Sequence, residues 1–287
     1  MSSLLHELRA ERGPLIMAHR GTAVGSIAEN TPEAVRAARV SGADLVEIDV
    51  SASADGEFFA FHDGAESRLL GEDIDILSLD AAQIRQRRYV HVDRAEKPAT
   101  VATLTEVLEA LPAETPVNID RSWPWWDTFL PWLDDWDGKA HLVLKCPASE
   151  EHALQLLRAH PHRYPFLPIC RDLTQAEALV TDPALNTVGV ELLAETPDHP
   201  ALDPLRLRGL RAAPPNGREP LVLVNSEVLT DGVPLFAGHD DERAVLASPE
   251  SAWRMLFELG VDIIQTDWPW VLHAYREKVR QEETNES

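Results

Sequence analysis

The stretch LVEIDVSASADGEFFAFHD, residues 45–63, determines how the rest of the chain can fold. It contains two apolar runs rich in aromatic and β-branched residues, which predict two strands, and Asp55-Gly56 stands between them. A two-residue Asp-Gly turn joins antiparallel strands directly, because it leaves no room for a crossover helix. The stretch therefore predicts a β-hairpin in which Asp49 lies opposite His62.

Short apolar runs continue along the chain and alternate with segments of helical periodicity. Nine runs are predicted strands: residues 15–19, 44–50, 57–62, 116–120, 141–145, 166–170, 187–192, 221–225 and 262–267. Since one hairpin strand is an antiparallel addition, eight parallel strands remain. They predict an α/β fold, a (β/α)8 TIM-type barrel with an added β-hairpin strand, whose site lies at the carboxyl ends of the strands.

Chain length and composition fit one domain over residues 1–287, since a chain of 287 residues with 44% hydrophobic content can bury a large core. Thr31 with Pro32 predicts one helix start, and Ser248 with Gly260 predicts the two ends of another helix. The tail from about residue 278 is almost wholly polar, and we expect it to be frayed.

The charge of the chain limits its partners. A formal net charge of −22 and a pI near 4.8 disfavour nucleic acid and anionic membrane surfaces through long-range repulsion, and also fit a protein kept soluble by charge. A small anionic substrate would need local cations. The sequence leaves the oligomeric state open.

The two cysteines, Cys146 and Cys170, make no disulfide framework and no zinc-site spacing. Residues 1–11 lack the basic start and apolar stretch of a signal peptide, and no apolar run reaches the length of a membrane span. We therefore expect a cytoplasmic protein.

Three carboxylates are candidate metal ligands. Glu47 and Asp49 stand two residues apart on one predicted strand, so their side chains leave on the same face, and Asp120 ends another strand. Three carboxylate oxygens suit Mg²⁺ or Ca²⁺. The plainer alternative is a pair of strand-end carboxylates that face solvent, and the neighbouring histidines favour the metal site.

Proton-transfer and phosphate-binding groups stand beside these carboxylates. His19 and His62 are the candidate general acid and base, because imidazole titrates near neutral pH. Arg20 can hold a phosphate oxygen through its planar fork, or it can be occupied by a structural ion pair. Glu29 is the candidate for orienting Arg20 or a ligand, and it is not expected to bind the ion.

These residues fall into four motifs: His-Arg-Gly at 19–21, Glu-Asn-Thr at 29–31, Glu-x-Asp at 47–49 and His-Asp at 62–63. In order and spacing they resemble the signature of the glycerophosphodiester phosphodiesterase family. The likeness is dense from about residue 14 to residue 120. Beyond that it is reduced to isolated matches, at Asn225 and at residues 266–269.

The resemblance implies a metal-dependent phosphodiesterase that cleaves a glycerophosphodiester or a similar small polyol phosphodiester, with His19 and His62 moving the protons. In that family the substrate's own neighbouring hydroxyl attacks, and the resulting cyclic phosphate can then be hydrolysed. Two alternatives stay open: a lyase of the same fold that releases the cyclic phosphate, and a non-catalytic phosphodiester-binding protein.

The chain departs from the family pattern at one strand. Where the family usually has Glu-x-Lys, this sequence has Asp120-Arg121-Ser122, which shortens the carboxylate and removes the lysine. Lys145, at the end of the next predicted strand, is a candidate replacement for binding the substrate. Equally, it can be a barrel-rim lysine paired with a carboxylate.

Two further segments have open interpretations. Residues 123–136 read WPWWDTFLPWLDDW, a pattern that favours a helix packed on the barrel and kinked at Pro131. Its first three tryptophans could instead form an apolar wall of the site, or the segment could serve an acidic interaction module. The acidic loop at 238–242 could recognise hydroxyls, but solvation is the simpler prediction.

Overall fold

The computed structural model describes residues 2–90, 99–212, 219–229 and 232–286. The strands are β1 (Leu15–Ala18), β2 (Leu45–Ala52), β3 (Phe58–Ala60), β4 (Val117–Asp120), β5 (Leu142–Leu144), β6 (Pro165–Phe166), β7 (Ile169–Cys170), β8 (Asn186–Thr187), β9 (Gly189–Leu192), β10 (Leu221–Asn225) and β11 (Ile263–Thr266). Each of the nine predicted runs overlaps at least one of these strands.

Twelve helices accompany the strands within these ranges. They are α1 (Ser2–Arg12), α2 (Pro32–Val40), α3 (Glu66–Leu69), α4 (Ala81–Ile84), α5 (Leu104–Glu109), α6 (Trp126–Asp134), α7 (Glu151–Ala159), α8 (Leu173–Val180), α9 (Pro204–Arg211), α10 (Asp241–Leu246), α11 (Pro249–Leu259) and α12 (Pro269–Glu286).

The parallel strands close into a ring. β11, β1, β2, β4, β5 and β6 pair in that order, and β10 joins β9 to β11. Two strands of the ring are interrupted: β6 and β7 are separated by Leu167 and Pro168, and β8 and β9 by Val188. Because β6 pairs with β8 and β7 pairs with β9, the two interrupted strands complete the circle. The predicted TIM-type α/β barrel is confirmed.

The added hairpin is present, but its turn differs from the prediction. β3 pairs antiparallel with β2, and the Ser53 N–H donates to Glu57 O at 2.9 Å, so the loop has three residues. Within the loop, Gly56 has a positive φ of 90°, whereas a two-residue type I′ turn needs positive φ at both central residues. Phe61, and not His62, therefore lies opposite Asp49, and its N–H donates to Asp49 O at 3.2 Å.

Apolar side chains fill the amino-terminal half of the barrel. Leu15 and Met17 of β1 and Leu221 and Leu223 of β10 point inward with alternate spacing, and Leu5 of α1 packs against this interior layer. The opposite faces of the strands pack against the surrounding helices in a larger core. The amino-terminal half of the barrel is thus a solid core, and open space can exist only at the carboxyl ends of the strands.

Helix starts follow the predicted signals. The Thr31 hydroxyl accepts from Ala34 N at the start of α2, and the Ser248 hydroxyl accepts from Ser251 N at the start of α11. Gly260 ends α11 in the left-handed conformation, at φ 70°. These boundaries agree with the sequence because capping chemistry is local.

The carboxyl-terminal segment differs from the prediction. The expected frayed tail from about residue 278 is instead helical, as α12 continues to Glu286. Charged side chains support it: Lys278 pairs with Glu250 of α11, and Arg280 pairs with Glu277 one turn away. No helix in the described ranges is both long and apolar enough to cross a membrane.

Candidate active site

The inward faces of the strands change from apolar to polar at their carboxyl ends. On β1 the inward series is Leu15, Met17 and then His19, and on β11 it is Ile263 and then Gln265. The polar ends surround a cavity of about 420 Å³, a size typical of small-molecule sites. Its wall includes His19, Arg20, Asp49, His62, Asp120, Arg121, Lys145, Glu191, Asn225, Glu227 and Gln265.

Two of the three predicted metal ligands, Asp49 and Asp120, border this cavity, and the third, Glu47, lies beside them. Glu47, Asp49 and Asp120 each offer a carboxylate oxygen, and these oxygens lie within 4.8 Å of one another. Parallel pairing of β2 with β4 sets Asp49 beside Asp120 in register. Glu47 and Asp49 are buried, and the Asp120 side chain is 18% exposed.

Two residues of the loop between β1 and α2 hold these carboxylates by unusual backbone conformations. Arg20 has φ 54°, and its N–H donates to Glu47 Oε2 at 2.8 Å. Asn30 has φ 56°; its Nδ2 donates to Asp49 Oδ2 at 2.9 Å, while the Asp49 N–H donates to Asn30 Oδ1 at 3.1 Å. Positive φ is costly for residues other than glycine, so the surrounding contacts must maintain both conformations.

The electrostatics of Glu47 fit a cation. Burial, and after it the neighbouring Asp49, raise the pKa of Glu47 to about 8. Burial would also raise the pKa of Asp49, but Arg20, His62 and His19 together outweigh it and lower the pKa. Glu47 Oε1 is buried and has no hydrogen-bond partner among the described residues. An orphaned carboxylate oxygen within a cluster of hard oxygen ligands is suited to Mg²⁺ or Ca²⁺.

The two predicted proton-transfer histidines both line the cavity. His19 Nδ1 lies 2.9 Å from Asp267 Oδ1. Burial opposes a charge on this ring, but Asp267 and Glu227 outweigh it and raise the pKa of His19 to about 10. His62 Nδ1 lies 2.7 Å from the backbone oxygen of Asp63. Since a carbonyl can only accept, Nδ1 of His62 carries a hydrogen, and in a neutral imidazole the lone pair is then on Nε2.

Arg20 and Glu29 are bonded to each other. Arg20 donates through a terminal guanidinium nitrogen to Glu29 Oε1 at 2.7 Å, and its Nε lies 2.9 Å from Asp49 Oδ2. Arg68 donates to both oxygens of Glu29, at 2.7 and 2.8 Å. Burial would raise the pKa of Glu29, but Arg68 and Arg20 lower it. Arg20 is thus part of a structural ion-pair network and also borders the cavity.

Lys145 is buried inside the barrel and does not lie on an exposed rim. Its Nζ lies 2.7 Å from Asp120 Oδ2 and donates to Glu191 Oε2 at 3.0 Å. Burial would favour the neutral amine, but Asp120 and Glu191 keep the pKa of Lys145 above its ordinary value. An ammonium group has three N–H donors, so one donor remains for a ligand.

Arg121, at the variable middle position of the family's Glu-x-Lys pattern, connects two strand ends. It follows Asp120 with φ 56°, and its Nε donates to Asp63 Oδ1 at 2.8 Å. Asp63 in turn follows His62 and accepts its ring hydrogen through the backbone. The end of β4 is thereby tied to the loop that bears His62.

Sequence reasoning missed several residues of the cavity wall. Glu191, Glu227 and Gln265 are buried polar residues that stand in or directly after apolar runs. A charged or amide residue inside such a run was the available signal. For Glu227, its spacing of two from Asn225 was a further sign that both face the cavity.

Burial decides between the alternative interpretations of two other segments, residues 123–136 and 238–242. α6 packs on the barrel with Pro131 inside it, as predicted, and of the opening tryptophans Trp123 borders the cavity while Trp126 is buried in the core. A wall of three tryptophans is therefore not formed. The prediction that the acidic loop at 238–242 is solvated is wrong for Asp241. This residue is buried and accepts from the Asp267 N–H at 2.7 Å.

The fold matches that of several solved phosphodiesterases. A glycerophosphoryl diester phosphodiesterase from Parabacteroides distasonis is 16% identical, with 96% of this chain and 92% of that chain covered and a TM-score of 0.65. A phosphodiesterase from Oleispira antarctica, in complex with the product sn-glycerol-3-phosphate, is 19% identical, with 92% and 97% covered and a TM-score of 0.64. A glycerophosphodiester phosphodiesterase from Agrobacterium tumefaciens is 21% identical, with 91% and 99% covered and a TM-score of 0.59.

At these identities the structural likeness establishes the fold alone. No curated protein matches the chain. The model of the glycerophosphoryl diester phosphodiesterase family, in contrast, matches residues 19–270, which include the two histidines, the three carboxylates and Lys145. The chain therefore belongs to the glycerophosphoryl diester phosphodiesterase family, a family of phosphoric diester hydrolases.

Proposed function

We propose that this protein is a metal-dependent phosphodiesterase that cleaves a glycerophosphodiester or a similar small polyol phosphodiester, with His19 and His62 as its proton-transfer groups. The observation that carries the proposal is the convergence of both imidazoles and the carboxylate cluster, Glu47, Asp49 and Asp120, on one cavity. The Oleispira antarctica neighbour, whose product is sn-glycerol-3-phosphate, supports the substrate class.

Glu47, Asp49 and Asp120 would hold the ion, Mg²⁺ or Ca²⁺. When bound, a divalent cation neutralises phosphate charge and makes the phosphorus easier to attack. Arg20 and the remaining N–H of Lys145 would bind phosphate oxygens, and Glu29 would keep Arg20 in place. These cations supply the local positive charge that a protein of net charge −22 needs for an anionic substrate.

Hydrogen bonding distinguishes the two histidines. Nε2 of His62 has a lone pair, so it accepts the proton of the attacking hydroxyl, either the substrate's neighbouring hydroxyl or water. His19, held protonated by Asp267, donates a proton to the departing alkoxide. One oxygen–phosphorus bond forms as the other breaks, and one proton is taken up as one is released.

Turnover of a panel of glycerophosphodiesters with Mg²⁺, with Ca²⁺ and with EDTA tests the proposal. We expect His19→Asn and His62→Asn each to lower kcat by roughly 100- to 10,000-fold. His152→Asn is a matched control, because His152 is exposed on α7, and it should retain activity. Full activity of either active-site variant, or of the wild type in EDTA, would contradict the proposal.

Phosphorus NMR of the products separates the alternatives. A cyclic phosphate that persists would identify a lyase, whereas a phosphate monoester identifies a hydrolase. Binding without turnover across the panel would identify a non-catalytic binding protein. A cytoplasmic location stays a prediction.

A further inference from the structure

One side of the cavity presents hydrogen-bond acceptors that lack donors. Asn225 Oδ1, Glu227 Oε2 and Gln265 Oε1 have no hydrogen-bond partner among the residues that the structure describes. The three residues are only 5%, 4% and 2% exposed, and all of them border the cavity. Buried polar groups are almost always paired, so three orphaned acceptors at one place point to a missing ligand.

The orientation of the two amides is fixed by their neighbours. Asn225 Nδ2 donates to Glu191 Oε1 at 2.7 Å, and Gln265 Nε2 donates to Glu227 Oε1 at 2.7 Å. An ionised carboxylate can only accept, so the amide nitrogens must face the carboxylates and the amide oxygens must face away from them. The orphaned atoms are therefore acceptors.

Along the ring of strands, His19 at the end of β1 stands between the carboxylate cluster of β2 and β4 and the acceptors of β10 and β11. β11 adjoins β1 on one side and β2 adjoins it on the other, and β10 follows β11. With phosphate at the carboxylate cluster, an alcohol that takes its proton from His19 would extend along the cavity toward β10 and β11. The leaving alcohol is thus the part of the substrate that can reach Asn225, Glu227 and Gln265.

We propose that Asn225, Glu227 and Gln265 form an acceptor subsite, which binds the leaving alcohol through hydroxyl or ammonium donors and rejects an alcohol that carries negative charge. This inference rests on the proposed function. A hydroxyl or ammonium hydrogen pairs each orphaned oxygen, whereas an alkyl group leaves the oxygens unpaired and an anionic group is repelled by Glu227. The subsite would select the substrate within the phosphodiester class.

Four glycerophosphodiesters test the subsite. They carry glycerol, ethanolamine, propanol or 3-hydroxypropanoate as the second alcohol, and are assayed at a pH above the raised Glu227 pKa of about 7. We expect kcat/KM for the glycerol or the ethanolamine diester to exceed that for the propanol diester by roughly 10- to 100-fold. The 3-hydroxypropanoate diester should be the poorest substrate. The ranking of glycerol and ethanolamine identifies which donor the subsite prefers.

Glu227→Gln, which keeps the shape and removes the charge, provides the decisive comparison. The kcat/KM ratio of the ethanolamine diester to the 3-hydroxypropanoate diester should fall at least roughly tenfold relative to wild type. Comparing this ratio between variant and wild type cancels differences in leaving-group reactivity and any general loss of activity. Glu258→Gln, on the exposed face of α11, is the charge-matched control and should leave the ratio unchanged.

Calorimetric binding of ethanolamine phosphate and propyl phosphate gives a readout that needs no turnover. The acceptor subsite predicts tighter binding of ethanolamine phosphate to wild type and loss of that preference in Glu227→Gln. Equal ratios and equal binding in both proteins would overturn the subsite and leave water as the partner of the three oxygens. Preserved binding preference without turnover of any diester would overturn the proposed function while the subsite stands.

Discussion

Replacing Glu47 by Gln should make the metal-free protein more stable and greatly weaken its response to metal. Glu47 is buried beside two other carboxylates, so its ionised form is unfavourable when no cation is present. Gln has nearly the same shape, and its amide oxygen can still accept the Arg20 N–H that now bonds Oε2. The substitution therefore removes the cost of burying an ionisable group beside Asp49 while retaining the main contact.

The raised pKa of Glu47 gives the size of the expected gain in stability. Burial and Asp49 raise the pKa of Glu47 from its ordinary value of 4.5 to about 8. At about 1.4 kcal/mol per pH unit between 4.5 and 7, keeping this carboxyl protonated in the folded protein, while it is ionised in the unfolded chain, costs about 3 kcal/mol at pH 7. Because the buried amide must find new partners, we expect a gain of about 1 to 3 kcal/mol, which corresponds to a rise in Tm of roughly 2 to 8 °C.

The raised pKa of Glu47 also determines how the stability of the metal-free protein depends on pH. The folded protein binds a proton at Glu47 more tightly than the unfolded chain does, so metal-free stability should fall as pH rises from about 4.5 to about 8. E47Q should lack this part of the decrease. In contrast, Mg²⁺ or Ca²⁺ at about 100 times its Kd should stabilise wild type by about 2.7 kcal/mol and E47Q far less.

Thermal unfolding followed by circular dichroism, in EDTA and in Mg²⁺ or Ca²⁺, measures both effects. Glu66→Gln is the control, because Glu66 is also buried but accepts from Ile76 N in a separate core around β3. It should keep the full metal response of wild type. An E47Q protein that unfolds below wild type in EDTA, or that gains as much from metal, would refute the assignment of Glu47 as a ligand.

Three further substitutions test the positioning of the site. Lys145→Met should lower the free energy of unfolding by about 3 to 5 kcal/mol in urea titrations, because the buried Glu191 and the partly buried Asp120 lose their cation; a loss below about 1 kcal/mol would be incompatible with this. Arg121→Leu should lower kcat roughly tenfold with little change in KM, since Asp63 and hence His62 lose an anchor, and Arg121→Lys should restore part of it. Gly21→Ala should lower Tm, because Gly21 has φ 77° and a Cβ there would lie 2.7 Å from a main-chain carbon of α2; an unchanged Tm would contradict this geometry.

The barrel and the carboxylate cluster could be predicted because both depend on local regularities. Side chains two apart on a strand share a face, so Glu47 and Asp49 had to point the same way once β2 was recognised. Parallel strands place their carboxyl ends at one edge, so Asp120 and His19 had to approach the same cavity. Nothing about distant contacts was needed for either inference.

What could not be predicted depends on tertiary partners or on a single torsion angle. The register of the hairpin turned on whether Asp55 adopts positive φ, which its residue type permits but does not require. The burial of Asp241 depends on Thr266 and Asp267, which lie 25 and 26 residues away. Likewise, the role of Lys145 follows from carboxylates on two other strands, on either side of it in the sequence.

The loop between β1 and α2 contributes to both the proposed metal site and the proposed phosphate-binding site. Arg20 holds Glu47, the proposed metal ligand, with its main-chain N–H and reaches the cavity with its guanidinium. A larger ion that pushes Glu47 outward would also displace that guanidinium. Ionic radius and the geometry of anion recognition are thus mechanically linked, and a change of metal preference should require compensating changes in this loop.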